Sequence, residues 1–267
     1  MERCRIGIVG CAGRMGRMLL AETLNTRGAE LAGGVDRLKP GEALDLGELA
    51  GVKPLGLRAG DDIEALFLAA DVVIDFTVPA ATVRHAEFAA ATGKGLVIGT
   101  TGLDAAQTQA IETAARTAPI LWAPNMSLGV NLLLGLVEQV ARALDPDWDI
   151  EIVEMHHRHK IDAPSGTALG LGRAAAAGRG VVLDDVAVRN RDGHTGPRVP
   201  GAIGFATLRG GDVVGDHTVI FAGEAERIEL THKASDRGIF ARGALRAALW
   251  TKGKPPGLYG MKHVLGI

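Results

Sequence analysis

RIGIVGCAGRMGRMLLAETLN, Arg5 to Asn25, decides the fold. Arg5 to Val9 read as a short buried strand, and MLLAETLNT (Met18 to Thr26) has the apolar spacing of an amphipathic helix. Between them GCAGRMG puts Gly10, Gly13 and Gly16 in a G-x-x-G-x-x-G spacing. Gly10 suits the tight turn, and Gly13 lets the backbone come close to a pyrophosphate. The start of the helix offers N–H groups and its positive end to phosphates. A second strand in AELAGGVD ends at Asp36 and closes a β-turn-α-β unit of about the ~30 residues of a dinucleotide-binding half. Asp36 then stands where a carboxylate accepts hydrogen bonds from an adenosine ribose, and Arg37 stands where a guanidinium meets a 2′-phosphate. The pair predicts use of NADH, NADPH or both.

Working outward, the β/α rhythm repeats. DVVIDF (Asp71 to Phe76) and GLVIG (Gly95 to Gly99) read as strands, and Pro79 sits in the first turn of the helix between them. Asp104 and Gln107 have capping-box spacing for a helix to about Thr117, and PILW supplies one more strand. Alternation of this kind predicts a parallel sheet with its ligand side at the strand C-termini. Two loops fall there, Gly99-Thr100-Thr101-Gly102 and Ala123-Pro124-Asn125-Met126, where the nicotinamide end of a cofactor should rest. Past Asn131 strands outnumber helices. A helix to about Leu144, the strand DIEIVEM, a short helix after Pro164 and the runs GAIGFATLRG, VVGDHTVIFAG and ERIELTHKA follow. GIFARGALRAALW (Gly238 to Trp250) resumes the earlier apolar period. The fold class expected is α/β: a Rossmann-type parallel-sheet domain over 1–126 and 238–267, plus a second α+β domain with a mixed sheet over 127–237.

Bulk properties narrow the function. The 267 residues suffice for two cores, and a formal charge of −2 with 22% charged residues gives no basic field for nucleic acid or an anionic membrane. No apolar run reaches ~18 residues and no signal-peptide pattern opens the chain. With only Cys4 and Cys11, a reduced, cytoplasmic compartment is expected. The 37 glycines against 4% aromatics suit an enzyme rich in tight turns.

EMHHRHKIDAPSGTALG (Glu154 to Gly170) carries most of the chemistry. Its cations admit a metal site, a proton-transfer site or a solvated loop. Against a zinc hydrolase stand the absence of nearby thiolates and the repulsion of a cation by Lys160 at the centre of the cluster, so no metal is expected. A nucleotide-sensing protein without turnover is a second alternative, since it needs the glycine loop but not these histidines.

FTVP (Phe76 to Pro79), GTTG, APNMSLGVN and EMHHRHKIDAPSGTAL occur in order, followed by LRGGDVVGDHTV (Leu208 to Val219), ELTHKASDR (Glu229 to Arg237) and FARGALRAALW. With these motifs the chain resembles the dihydrodipicolinate reductase family, also called 4-hydroxy-tetrahydrodipicolinate reductase, over nearly its whole length. The departure is a shortened stretch near GRGVVLDD (Gly178 to Asp185). The resemblance implies nicotinamide-dependent reduction of a cyclic unsaturated dicarboxylate to tetrahydrodipicolinate, on the route to diaminopimelate and lysine. It also implies a homotetramer assembled through the second domain.

The resemblance further implies His156 as the proton-transfer histidine and Lys160 as a proton donor, with His157, Gly166 and Thr167 as substrate contacts. Gly10, Cys11, Ala12, Gly13, Arg14, Met15, Asp36, Arg37, Gly99, Thr100, Thr101, Ala123, Pro124, Asn125 and Met126 match its cofactor-binding positions. The chemistry suits these residues. Hydride addition to a conjugated imine leaves an electron-rich product that must take a proton, and a histidine with a lysine four residues on can supply it. A helix start at Ser165-Gly166-Thr167 can receive a carboxylate. Arg158, His159 and Lys233 add positive potential without an assigned role. Strand alternation sends His156 and His157 to opposite faces, so both can reach one substrate only if the strand has ended or twisted by then.

Overall fold

The computed structural model describes residues 2–39 and 42–267. The chain divides into two units, one of Met1–Leu128 with Gly238–Gly266, the other of Gly129–Arg237 with Ile267.

The first unit runs β1 (Cys4–Val9), α1 (Arg14–Asn25), β2 (Ala29–Val35), α2 (Leu46–Leu49), α3 (Ile63–Ala69), β3 (Val72–Asp75), α4 (Pro79–Thr92), β4 (Gly95–Ile98), α5 (Ala105–Ala114) and β5 (Pro119–Trp122). With β11 (Gly257–Tyr259), its six strands pair only in parallel, in the order β11-β5-β4-β3-β1-β2. Successive side chains of a strand point to opposite faces, so each strand feeds two cores. Ile6, Ile8, Val72, Ile74, Val97 and Leu121 meet Leu19 and Leu20 of α1 on one face. Val73, Leu96, Ile98 and Ile120 meet Phe67, Ala86 and Ile111 on the other. Helices on both faces explain why the strands are near-continuous apolar runs. The capping box at Asp104 and Gln107 is present, each side chain bonded to the other's backbone amide, and it starts α5 at Ala105.

The second unit contains α6 (Leu128–Ala143), which opens at the last residue of the first unit, then β6 (Asp149–His156), α7 (Gly166–Arg179), α8 (Leu183–Val186), β7 (Ala187–Val188), β8 (Ile203–Arg209), β9 (Gly215–Ala222) and β10 (Arg227–Ala234). Its sheet is mixed, in the order β10-β9-β6-β8-β7, with β8 parallel and β9 antiparallel to β6. Leu133 and Val137 of α6 and Leu171 and Ala175 of α7 cover Ile150, Ile152, Phe205, Val219 and Phe221. The helix after Pro164 is not short. It continues through an alanine-rich run with high helix propensity for 14 residues and stops where Gly180 takes a left-handed φ of 68°.

The chain then returns to the first unit as α9 (Gly238–Thr251), β11 (Gly257–Tyr259) and α10 (Met261–Leu265). No helix among the described residues is long and apolar enough to cross a membrane.

Candidate functional site

In the first unit the order of strands reverses at β1, which has β2 on one side and β3 on the other. Loops leaving such neighbours diverge and open a crevice at the strand C-termini. A cavity of about 580 Å³ lies there, lined among others by Gly10, Asp36, Arg37, Thr77, Arg84 and His85. Gly10 has φ 71°, a conformation costly for a side chain, and a Cβ on it would stand 3.0 Å from Thr77 Cγ2. Gly16 sits so close that a Cβ would be 2.1 Å from the Gly10 carbonyl oxygen, which explains the third glycine: it lets α1 pack against the loop. Gly13 is the N-cap and has no side chain to occupy the first amides of α1. The wall residues Ile63, Ala81 and Phe88 add apolar surface. A cavity of this size, with the Asp36 carboxylate and the Gly10 turn in its wall, fits the adenosine portion of a dinucleotide.

Asp36 is also tied to the loop itself. One carboxylate oxygen accepts the Ala12 amide at 2.7 Å and the other the Arg37 amide at 2.7 Å. Each oxygen has a second lone-pair direction, so Asp36 can brace the turn and still accept from a ribose.

A second carboxylate, the fully buried Asp75 at the end of β3, braces the next loops. It accepts from Thr77 N at 2.9 Å and Thr77 Oγ1 at 2.6 Å, and lies 2.8 Å from His85 Nδ1. Thr100 Oγ1 receives Thr77 N at 3.1 Å and Thr82 Oγ1 at 2.8 Å, which joins the loops after β3 and β4. Burial opposes ionisation of Asp75, but the His85 ring and the threonine hydroxyls outweigh it and hold the carboxyl below its usual range.

These contacts sort the expected cofactor residues. Gly13, Arg14, Thr101 and Pro124 are exposed, and Gly10, Ala12, Met15, Gly99 and Asn125 are half-buried. Cys11, Thr100, Ala123 and Met126 are buried, at 0%, 4%, 3% and 1% exposure, so their side chains belong to the interior and only their main chain can meet a ligand. Burial pushes the Cys11 thiol up to about 11, which leaves it unreactive.

In the second unit β6 alternates half-buried and buried residues through its last residue, His156. Period two therefore places Glu154 and His156 on the same, helix-covered face. Glu154 is 1% exposed, and its Oε2 lies 2.6 Å from His156 Nδ1. Arg209, opposite His156 in the parallel register, grips both oxygens at 2.9 and 3.0 Å. Glu154 Oε1 also accepts the Ser165 amide at 3.1 Å, and Ser165 Oγ in turn receives the Ala168 amide at 3.1 Å as the N-cap of α7. Burial works against the Glu154 charge, but Arg209, the His156 ring and the Ser165 amide more than offset it, so its carboxyl ionises below the ordinary range. His217, across β9 from Glu154, lies 2.9 Å from Ser165 Oγ and edge-on to His156 at 5.1 Å. Burial first, then the charge of His156, lowers the His217 pKa to about 4 and keeps the ring neutral. Its Nδ1 is buried without a hydrogen-bond partner among the described residues, an arrangement that would penalise a second N–H.

The strand ends at His156, so the two histidines part there. His157 leaves the ladder with its amide donating to Val213 O at 2.7 Å. With Arg158, His159, Gly211, Asp212 and Arg237 it lines a cavity of about 670 Å³. Partial desolvation and the nearby Arg237 and His156 lower its pKa. Lys160 Nζ bonds both Asp162 oxygens, at 2.8 and 2.9 Å, and this pairing holds the Asp162 carboxyl low. Gly166, exposed, and Thr167, half-buried, open α7 directly after the cap. Among the described residues no three His, Cys, Asp or Glu side chains are grouped to hold a metal ion.

The structure thus joins His156 to the start of α7 through Glu154, and gathers His157 with a separate set of cations. Glu154, Arg209 and His217 join the site residues expected from the sequence. Glu154 carries a local signal, two residues before His156 in an alternating strand; Arg209 and His217 become neighbours only through strand pairing.

Comparison with known proteins agrees along the whole chain. Residues 4–126 match the family model described as dihydrodipicolinate reductase, N-terminus, and residues 129–265 match the one described as dihydrodipicolinate reductase, C-terminus. The 4-hydroxy-tetrahydrodipicolinate reductase of Parvibaculum lavamentivorans is 59% identical over 265 residues, with 98% of each chain covered. That of Mesorhizobium japonicum is 58% identical, covering 97% of this chain and 96% of its own. Among solved structures, a dipicolinate-bound dihydrodipicolinate reductase from Paenisporosarcina sp. TG-14 superposes with a TM-score of 0.78 at 26% identity, over 98% of this chain and 99% of its own. With both of its parts matched and relatives of this identity aligned almost end to end, the chain belongs to the dihydrodipicolinate reductase family.

Proposed function

We propose that the protein reduces 4-hydroxy-tetrahydrodipicolinate, by way of dihydrodipicolinate, to tetrahydrodipicolinate with NAD(P)H, in the diaminopimelate route to lysine. The observation that carries this reading is the end-to-end match, at 58–59% identity, to relatives that bear the name of that reaction. When bound, the nicotinamide supplies a hydride; the chain's own residues bind, orient and protonate. Gly10 to Met15, with the bare start of α1, take the phosphates, and Asp36 and Arg37 take the adenosine ribose with or without a 2′-phosphate. The Gly99–Thr101 and Ala123–Met126 loops seat the nicotinamide end. His157, Gly166 and Thr167 bind the dicarboxylate, with cations at one carboxylate and helix amides at the other.

Hydride addition places an electron pair on the conjugated imine system, and one proton must form the new N–H or C–H bond. His156 supplies it from the nitrogen that does not face Glu154. Lys160, paired with Asp162, stabilises the developing anion and serves as the proton donor that returns to His156 the proton it gives up. No step calls for a metal. We further place the enzyme in the cytoplasm as a homotetramer built through the second unit. The sheet face opposite α6 and α7 supports this, because it carries half-exposed Val153, Met155 and Ile220 and exposed Leu208.

Oxidation of NADH and NADPH, followed side by side with freshly generated dihydrodipicolinate precursor, tests the reading. Turnover with at least one cofactor, inhibited by pyridine-2,6-dicarboxylate, is expected. Nucleotide binding without turnover would leave the nucleotide-sensing alternative standing instead.

A further inference from the structure

We propose that Glu154 is a positioning residue, one buried carboxylate that fixes the His156 tautomer and the start of α7 together. The role rests on the reading above for the reaction, and on geometry for everything else.

An ionised carboxylate only accepts hydrogen bonds. Glu154 is locked in that form by the two-pronged contact with Arg209 at 2.9 and 3.0 Å. The 2.6 Å contact from Glu154 Oε2 to His156 Nδ1 therefore requires the proton on Nδ1 in the neutral ring. The exchangeable position is then Nε2, a lone pair when the ring is neutral and a donor when it is charged. Space at that nitrogen is set by Gly215: a Cβ there would lie 2.9 Å from His156 Nε2 and 3.3 Å from Cδ2. A glycine at this point of β9, where any side chain would press on the ring, keeps the nitrogen approachable.

The same carboxylate reaches the other half of the motif. Its Oε1 accepts the Ser165 amide at 3.1 Å, one residue before the Gly166 that begins α7. The proton-bearing ring and the anion-receiving helix start are thereby referenced to one rigid group on a strand rather than to each other across a loop. His217, neutral and 2.9 Å from Ser165 Oγ, backs the arrangement without adding a competing charge. A glutamine at 154 cannot replace it. One side of the amide is NH2 and would face either the His156 ring or the Ser165 amide, with an Arg209 N–H already on each side.

Nitrogen-15 NMR of the histidine rings, with the His156 signal assigned from the His156→Gln protein, reads the tautomer without substrate or turnover. Wild type should show His156 almost wholly as the Nδ1–H form, and Glu154→Gln should move a large share of it to Nε2–H. In steady-state kinetics Glu154→Gln should lower kcat by about 10- to 100-fold, with a larger solvent isotope effect on kcat and KM for NADH within about threefold. A wild-type tautomer balance in Glu154→Gln, or kcat within twofold of wild type, overturns the proposal. If Glu154→Gln fails to fold, Gly215→Ala takes its place. It should keep NADH affinity and lose kcat by about tenfold or more through pressure on Nε2, and wild-type kcat there overturns the proposal equally. Absence of reductase activity in the wild type would count against the proposed reaction and leave the tautomer result to decide on Glu154.

Discussion

Each unit contains a buried carboxylate against the Nδ1 of a histidine: Asp75 with His85 at 2.8 Å in the first, Glu154 with His156 at 2.6 Å in the second. Both lie at or near the C-terminal end of a central strand, and in both the carboxyl is held below its usual range. Their remaining partners differ. Asp75 spends its other lone pairs on the amide and hydroxyl of Thr77 and on Thr100, so it joins two loops. Glu154 faces the permanent charge of Arg209 and a helix-capping amide, and the far nitrogen of its histidine meets a glycine. A carboxylate–imidazole pair is therefore no signature of proton transfer on its own. On the proposed reading, the third partner and the space at the far nitrogen separate a brace from a proton-transfer site.

The largest expected effect breaks the second pair. His156→Gln should cut kcat by about 10²- to 10⁴-fold while NADH affinity, measured by fluorescence titration, stays near wild type. Unchanged turnover would remove His156 from the chemistry. Lys160→Ala should follow with a loss of about 10²-fold in kcat, and the freed Asp162 is expected to raise the substrate KM as well.

Breaking the first pair should act on binding and stability. Asp75→Ala leaves the Thr77 amide and the His85 ring without their acceptor, at a cost of about 2–3 kcal/mol in urea unfolding together with a higher KM for NADH. Asp36→Ala removes the Ala12 brace and, with it, the carboxylate proposed to accept from the ribose. A fall in NADH affinity of about tenfold is expected, and a smaller one for NADPH.

The smallest expected effect is on pH dependence. His217 has a folded pKa of about 4 against 6.5 for an ordinary histidine, so between these values the unfolded chain binds the extra proton and the folded one does not. Its contribution to stability is full above pH ~6.5, declines as pH falls, and is exhausted near pH 4, at roughly 1 kcal/mol per pH unit. His217→Gln, which keeps a partner for Ser165 Oγ, should flatten the unfolding free energy over that window. An equally steep dependence in the variant would assign it to other groups.

Legibility in the sequence followed the range of the interactions. The glycine loop, the Asp104–Gln107 capping box and the strand PILW are local patterns and occur where the sequence places them. β6 runs one residue past the DIEIVEM read from the sequence and ends at His156. β11 was not anticipated, because Gly257–Tyr259 is too short to have a period and exists through pairing with β5. Nor was α3, although Asp62 caps it by accepting the Ala65 amide. The motifs around Cys11 and Met126 carry no local sign that these side chains turn into the core, which depends on packing against residues as distant as Gly34 and α9. Arg209 and His217 are 55 and 63 residues from Glu154 in sequence, and only the register of β8 and β9 makes them its neighbours.

The central claim is that two chemically similar pairs do different work, and it is tested most directly by kcat at saturating NADH and substrate for Asp75→Asn and Glu154→Gln in parallel. The account predicts a fall of about tenfold or more for Glu154→Gln and of less than about threefold for Asp75→Asn, whose loss should appear in the NADH KM. Equal falls in kcat, or a larger one for Asp75→Asn, would contradict it.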